Sequence, residues 1–123
     1  MITKTGKNAI LVKGLKENSL TMRLFSNAIA NITADDTTAN YTEVSGGGYA
    51  AKALANGDWT VSNGVATLAT QNFTFTGAAG DIYGWFITDA SNNLITANYL
   101  NTDKSKRTIN YNGDAILVDY STQ

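Results

Sequence analysis

The stretch Trp59-Thr60-Val61-Ser62-Asn63-Gly64-Val65-Ala66-Thr67-Leu68 decides the fold class. Apolar and polar side chains alternate on either side of Asn63-Gly64, a dipeptide that favours a two-residue hairpin turn because both positions tolerate positive φ. Two antiparallel strands follow from that reading, each with one apolar face. Further along, Phe73-Thr74-Phe75-Thr76 alternates strictly and stops at Gly77-Ala78-Ala79-Gly80, and Ile82-Tyr83-Gly84-Trp85-Phe86-Ile87 is the most hydrophobic segment and reads as a central strand. Upstream, Leu20-Thr21-Met22-Arg23-Leu24-Phe25 sets Leu20, Met22 and Leu24 on one face, and Tyr49-Ala50-Ala51-Lys52-Ala53-Leu54 forms a short strand. Downstream, Asn92-Asn93 turns into Leu94-Ile95-Thr96-Ala97. Thr108-Ile109-Asn110-Tyr111 then leads through Asn112-Gly113 into Ala115-Ile116-Leu117-Val118 as a second hairpin. About eight short strands with turn residues between them predict an all-β, two-sheet antiparallel β-sandwich, jelly-roll-like or immunoglobulin-like in topology. No segment carries a 3.6-residue apolar period over a helical length.

Residues 26–47 hold no sustained apolar period and read as a long surface loop with one short helical turn near Asp35. Gly46-Gly47-Gly48 at its end reads as a hinge or a close backbone approach. Residues 1–19 are expected to form a basic N-terminal arm or an extra strand, and residues 20–123 the sandwich. Charge divides a little further along, between residues 1–23 and 24–103. Lys4, Lys7, Lys13, Lys16 and Arg23 face one acid, Glu17, whereas residues 24–103 carry Asp35, Asp36, Glu43, Asp58, Asp81, Asp89 and Asp103 against Lys52. The four lysines of the arm are candidate partner-binding residues. The plainer reading is a set of solvated strand edges, where Lys prevents sticking.

At 123 residues the chain fits one domain able to bury its own core. Charged residues make up 15%, against about 25% in an average globular protein, and Thr, Asn, Ser and Gly supply the polarity. There is no Cys, so no disulfide framework and no thiolate metal site. There is no His, so neither a Ser-His-Asp nor a Cys-His arrangement can be built. With no Pro, every turn relies on Gly, Asn, Asp or Ser. The longest early apolar run, Ala9-Ile10-Leu11-Val12, is too short for a signal peptide or a membrane span, which predicts a soluble product made in the cytoplasm with no membrane partner.

The side chains that carry chemistry elsewhere sit in no catalytic motif. Glu43 and Asp58 are the least implausible pair of carboxylates for hydrolysis, and the expectation is a protein that is not an enzyme. Asp35-Asp36-Thr37-Thr38 offers oxygens to calcium but lacks the spaced acids of an EF-hand, and a turn or helix cap is the simpler reading. No cofactor is expected. Trp59 and Tyr49 are candidate stacking platforms for a sugar ring, while Trp85 belongs to the core. Lys104-Ser105-Lys106-Arg107 is a small basic turn rather than a nucleic-acid stripe, and Gly46-Gly47-Gly48 lacks the Lys-Ser/Thr of a phosphate loop.

The order of segments resembles a family of small tailed-bacteriophage virion proteins over roughly residues 20–120. Leu24-Phe25, a polar stretch, Asn40-Tyr41-Thr42-Glu43 and Gly48-Tyr49-Ala50 carry the resemblance in the first half. In the second half it rests on Trp59 before a hairpin, Phe73-Thr74-Phe75-Thr76-Gly77, Ile82-Tyr83-Gly84-Trp85-Phe86-Ile87-Thr88-Asp89 and Gly113-Asp114-Ala115-Ile116-Leu117-Val118. The basic start departs from the family's pattern. The resemblance implies a virion β-sandwich protein, assembled in the host cytoplasm. Its expected role is a capsid decoration (cement) protein that binds the major capsid protein and itself as a homotrimer. Alternatives are a tail, collar or fibre module that recognises a host, and a carbohydrate-binding module. On the decoration reading, deleting residues 1–19 should leave a folded domain that no longer assembles.

Overall fold

Alternating apolar residues along the chain become the two inner faces of a sandwich. The computed structural model describes residues 1–122, and among them nine strands pair antiparallel throughout. They are β1 (Leu20–Phe25), β2 (Lys52–Leu54), β3 (Trp59–Ser62), β4 (Val65–Thr74), β5 (Gly80–Ile82), β6 (Gly84–Thr88), β7 (Leu94–Tyr99), β8 (Arg107–Ile109) and β9 (Ala115–Ser121). One sheet has the order β2-β1-β6-β7, the second β3-β4-β9, and β5 and β8 form a separate ribbon. Leu20, Met22, Leu24, Trp85 and Ile87 of the first sheet pack against Trp59, Ala66, Leu68, Phe73, Ile116 and Val118 of the second. Among the described residues no helix is long and apolar enough to cross a membrane.

Strand β6 is buried at every position, which explains its unbroken hydrophobicity. Trp85 and Ile87 point between the sheets. Phe86 points the other way, into a smaller cluster with Phe25 and Tyr41 that Ile29 and Ile32 of the 26–43 segment help to cover. Tyr41 stacks on Phe86 with centroids 5.3 Å apart and meets Phe25 edge-on at 5.1 Å. The long loop is therefore a lid over the outer face of the four-stranded sheet. Backbone bonds fasten it as an irregular extension of β1, with Ser26 N donating to Thr42 O at 2.8 Å and Val44 N to Leu24 O at 3.0 Å. The helical turn expected near Asp35 lies at Thr38–Asn40.

Gly46, Gly47 and Gly48 all take positive φ, and Gly47 and Gly48 also make a close approach to the 76–79 segment. Gly47 O accepts from Thr76 N at 2.8 Å, and a Cβ on Gly47 or Gly48 would collide with Gly77 O or the Thr76 side chain. The Asn63-Gly64 turn has the expected left-handed geometry, with φ of 54° and 77°. The second expected hairpin does not form. Gly113 does turn the chain, but β8 pairs with β5 while β9 crosses to pair with β4.

Residues 1–19 hold a helix, α1 (Lys4–Leu11), which widens into a π-helical turn over Val12–Lys16, instead of an extended arm or an extra strand. Thr3 caps α1 by accepting from Gly6 N at 3.0 Å. The period was faint because only Leu11 and Leu15 face inward, and Gly6 and Gly14 each lower helix propensity by about 1 kcal/mol relative to Ala. Tertiary contacts hold the segment instead. Leu15 enters the core, and Asn8 Oδ1 accepts from Gly64 N at 2.7 Å at the β3–β4 turn. The nineteen residues are thus part of the sandwich domain.

Candidate functional site

Each side chain singled out in the sequence has a definite place. Trp59 is 2% exposed and packs edge-on against Tyr120, so it offers no face to a sugar. Its indole Nε1 is buried without a hydrogen-bond partner. Tyr49 lies parallel to Phe73 with centroids 6.2 Å apart. Its hydroxyl donates to Glu43 Oε2 at 2.7 Å and accepts from Leu24 N at 3.1 Å, where β2 has ended and the β1 edge would otherwise be open. Burial first, and then the Glu43 carboxylate, pushes the Tyr49 hydroxyl well above the usual tyrosine range. Trp59 is thus a core residue, and Tyr49 is half-buried at the strand edge.

The lysines are scattered rather than gathered. Lys16 Nζ donates to Trp59 O at 2.9 Å and Asn56 O at 3.2 Å, tying the π-helical turn to β3. Lys13 pairs with Glu17 at 3.0 Å, one turn on. The Lys7 stem lies over Gly64, and Lys4 is exposed at the start of α1. In the 104–107 turn, Lys104 Nζ donates to Ala30 O and Lys106 pairs with Asp81 at 3.0 Å.

The candidate acids are likewise engaged. Arg23 Nη1 donates to Glu43 Oε1 at 3.1 Å and Oε2 at 3.2 Å, and its Nε donates to Thr88 Oγ1 at 3.1 Å. Asp58 Oδ2 accepts from Ala55 N at 2.8 Å and caps a short turn. Asp36 accepts from Tyr41 Oη at 2.8 Å and from Thr33 N and Oγ1, and the Tyr41 bond first of all holds its carboxyl below the usual carboxylate range. Among the described residues no three His, Cys, Asp or Glu side chains gather to hold a metal ion.

What the fold leaves open is a surface. The lid covers one outer face of the sandwich, and the outer face of β3-β4-β9 is bare. Thr60 and Ser62 of β3, Thr67, Thr70, Asn72 and Thr74 of β4, and Leu117, Asp119 and Ser121 of β9 are all exposed. They make a flat hydroxyl and amide surface with one apolar projection, Leu117, and one charge, Asp119, which accepts from Thr70 Oγ1. A shallow depression of about 400 Å³ lies where β4 bulges between Leu68 and Gln71, lined by Thr67, Ala69, Thr70, Asp119 and Tyr120. A groove of about 320 Å³ separates the lid from β7, lined by Ile32, Thr33, Asp36, Tyr41, Ile95 and Ala97. Asp36 there is already hydrogen-bonded to Tyr41 and Thr33. Each hollow holds hydroxyls hydrogen-bonded to a carboxylate, Thr70 to Asp119 in the depression and Thr33 and Tyr41 to Asp36 in the groove.

Sequence reasoning named the bare sheet's strands but not its exposure, and it passed over Tyr111. That ring, in the turn before β9, is 72% exposed, whereas every other aromatic of the described residues is buried or half-buried. Its place beside Asn112-Gly113 was the available signal.

No family model matches the chain, and neither does any curated protein or solved structure.

Proposed function

We propose that this protein is a virion structural protein of a tailed bacteriophage, a capsid decoration protein that binds the major capsid protein on the outer surface. The order of segments in the sequence suggests the virion. The observation that carries the binding role is the bare, charge-poor outer face of β3-β4-β9 in a sandwich whose opposite face is closed by its own loop. A flat Thr/Asn surface with few charges to desolvate suits extended contact with another protein, and what binds only the assembled particle stabilises it by mass action. The resemblance implies a homotrimer, whereas the sheet edges favour a pairing of two copies, argued below.

Copy number in purified particles, measured by quantitative mass spectrometry, tests this reading. A number that scales with the major capsid protein supports decoration. A few copies per particle move the protein to the tail, collar or fibre, and absence from the particle defeats the virion reading.

One observation reshapes the carbohydrate-binding alternative. With Trp59 buried and Tyr49 half-buried against Phe73, the most exposed ring for a stacked sugar is Tyr111. Affinity for soluble polysaccharide that falls in Tyr111→Ala would favour a glycan-binding module over decoration.

A further inference from the structure

The two main sheets have four edge strands, and three of them are blunted. Strand β2 is three residues long and contains Lys52. Strand β3 is flanked by the π-helical turn, whose Lys16 occupies Trp59 O. Strand β7 carries a register irregularity opposite Ile87 and Thr88, and Asn98 Oδ1 takes up Tyr99 N at 2.8 Å. Short length, lysines, irregularities and covering elements are the usual means of stopping strand-to-strand association.

Strand β9 has none of these. It runs for seven residues, Ala115–Ser121, without Pro, Lys or Arg, and the bulge in its sheet belongs to β4. Phe75 N donates to Asp114 O at 3.0 Å and Thr122 N to Ala66 O at 2.9 Å. Antiparallel alternation between those bonds turns the backbone groups of Ile116, Val118 and Tyr120 toward β4. The N–H and C=O groups of Ala115, Leu117, Asp119 and Ser121 therefore point outward, and among the described residues no strand pairs with them. At the middle of that edge Leu117 is 64% exposed.

We propose that β9 pairs with β9 of a second copy, antiparallel across a two-fold axis at Leu117. Self-complementarity selects this occupant. In this register outward-pointing backbone groups face outward-pointing groups, Leu117 meets Leu117, and Ile116 lies beside Val118 on the core side. Asp119 falls opposite Ala115 rather than opposite a second Asp119. Sliding the register by two residues one way would set Leu117 against Asp119 and bring a carboxylate against an apolar side chain, and sliding it the other way would set Leu117 against Ala115 and lose the contact between the two leucines. The product is one continuous sheet, β3-β4-β9-β9-β4-β3, with an isologous interface. The pairing is independent of which particle or surface the protein serves.

Analytical ultracentrifugation of the full chain tests the pairing, with a dimer expected. Leu117→Lys removes the apolar contact and places two cations on the axis, and is expected to weaken association at least about tenfold. Thr60→Lys, on the same bare face but on the far strand, should leave it unchanged. The chain has no Cys, so Leu117→Cys provides a second measurement that needs no destabilising charge. Facing residues of this kind lie about 5.5 Å apart at Cα, within disulfide reach, and diamide oxidation should trap a covalent dimer that Thr60→Cys does not form. A monomeric wild type overturns the proposal. So does a dimer or trimer indifferent to Leu117→Lys, or equal trapping by the two cysteine variants.

Discussion

The hydroxyl of Tyr49 donates to Glu43 Oε2 at 2.7 Å, and through that carboxylate it joins Arg23 and Thr88. The same hydroxyl accepts from Leu24 N, so one side chain closes an open strand edge and anchors the lid. Tyr49→Phe keeps the ring on Phe73 but leaves Leu24 N without its partner. A loss of about 1–3 kcal/mol is expected, read as a lower urea midpoint at unchanged m-value. An unaltered midpoint would mean that water replaces the hydroxyl.

Alkaline pH should destabilise the fold through the same group. The folded state holds the hydroxyls of Tyr49 and Tyr41 above the usual tyrosine range, mainly by burial. Above the ordinary value of about 10 the unfolded chain loses protons that the folded chain keeps, so stability is full below that pH and falls as pH rises. Unfolding midpoints across pH 8–11 should show the decline beginning near 10, and the double variant Tyr41→Phe/Tyr49→Phe should flatten it.

At Gly84, a methyl group would meet Asn98 O and the Phe25 ring. Gly84→Ala is expected to cost about 1–3 kcal/mol by overpacking, read as a fall in Tm. Gly57, with open space around its Cα, is the control, and Gly57→Ala should change Tm far less.

The helical N-terminus alters the outcome expected of a truncation. Leu15 is a core residue and Lys16 bonds to two β3-side carbonyls, so deleting residues 1–19 uncovers the core instead of freeing an arm. Leu15→Ala alone should cost about 2–5 kcal/mol. Lys4→Ala, at an exposed position, should leave Tm within about 0.5 kcal/mol equivalent. A folded, fully stable 20–123 fragment would show that α1 contributes nothing.

The sequence by itself determined the all-β class, the Asn63-Gly64 hairpin and the burial of Trp85, because period-two alternation and left-handed turn residues act locally; the single central strand expected over Ile82–Ile87 is instead divided, with Ile82 in the β5-β8 ribbon and only Gly84–Thr88 inside the four-stranded sheet. It did not determine which strands would meet. Asn112-Gly113 turns the chain in either case, but β8 pairs with β5, with Ile109 opposite Gly80 and buried in the core, while β9 pairs with β4. Nor could it separate a buried Trp59 from an exposed one, since a strand's alternation fixes two faces without saying which is covered. The helix at residues 4–11 was hidden for a related reason: its glycines make it weak alone, and Leu15 and the Asn8–Gly64 bond hold it from outside its own sequence. The bare face of β3-β4-β9 and the open edge of β9 belong to the tertiary structure alone, because exposure depends on where the 26–43 segment lies, and that segment lies over the other sheet.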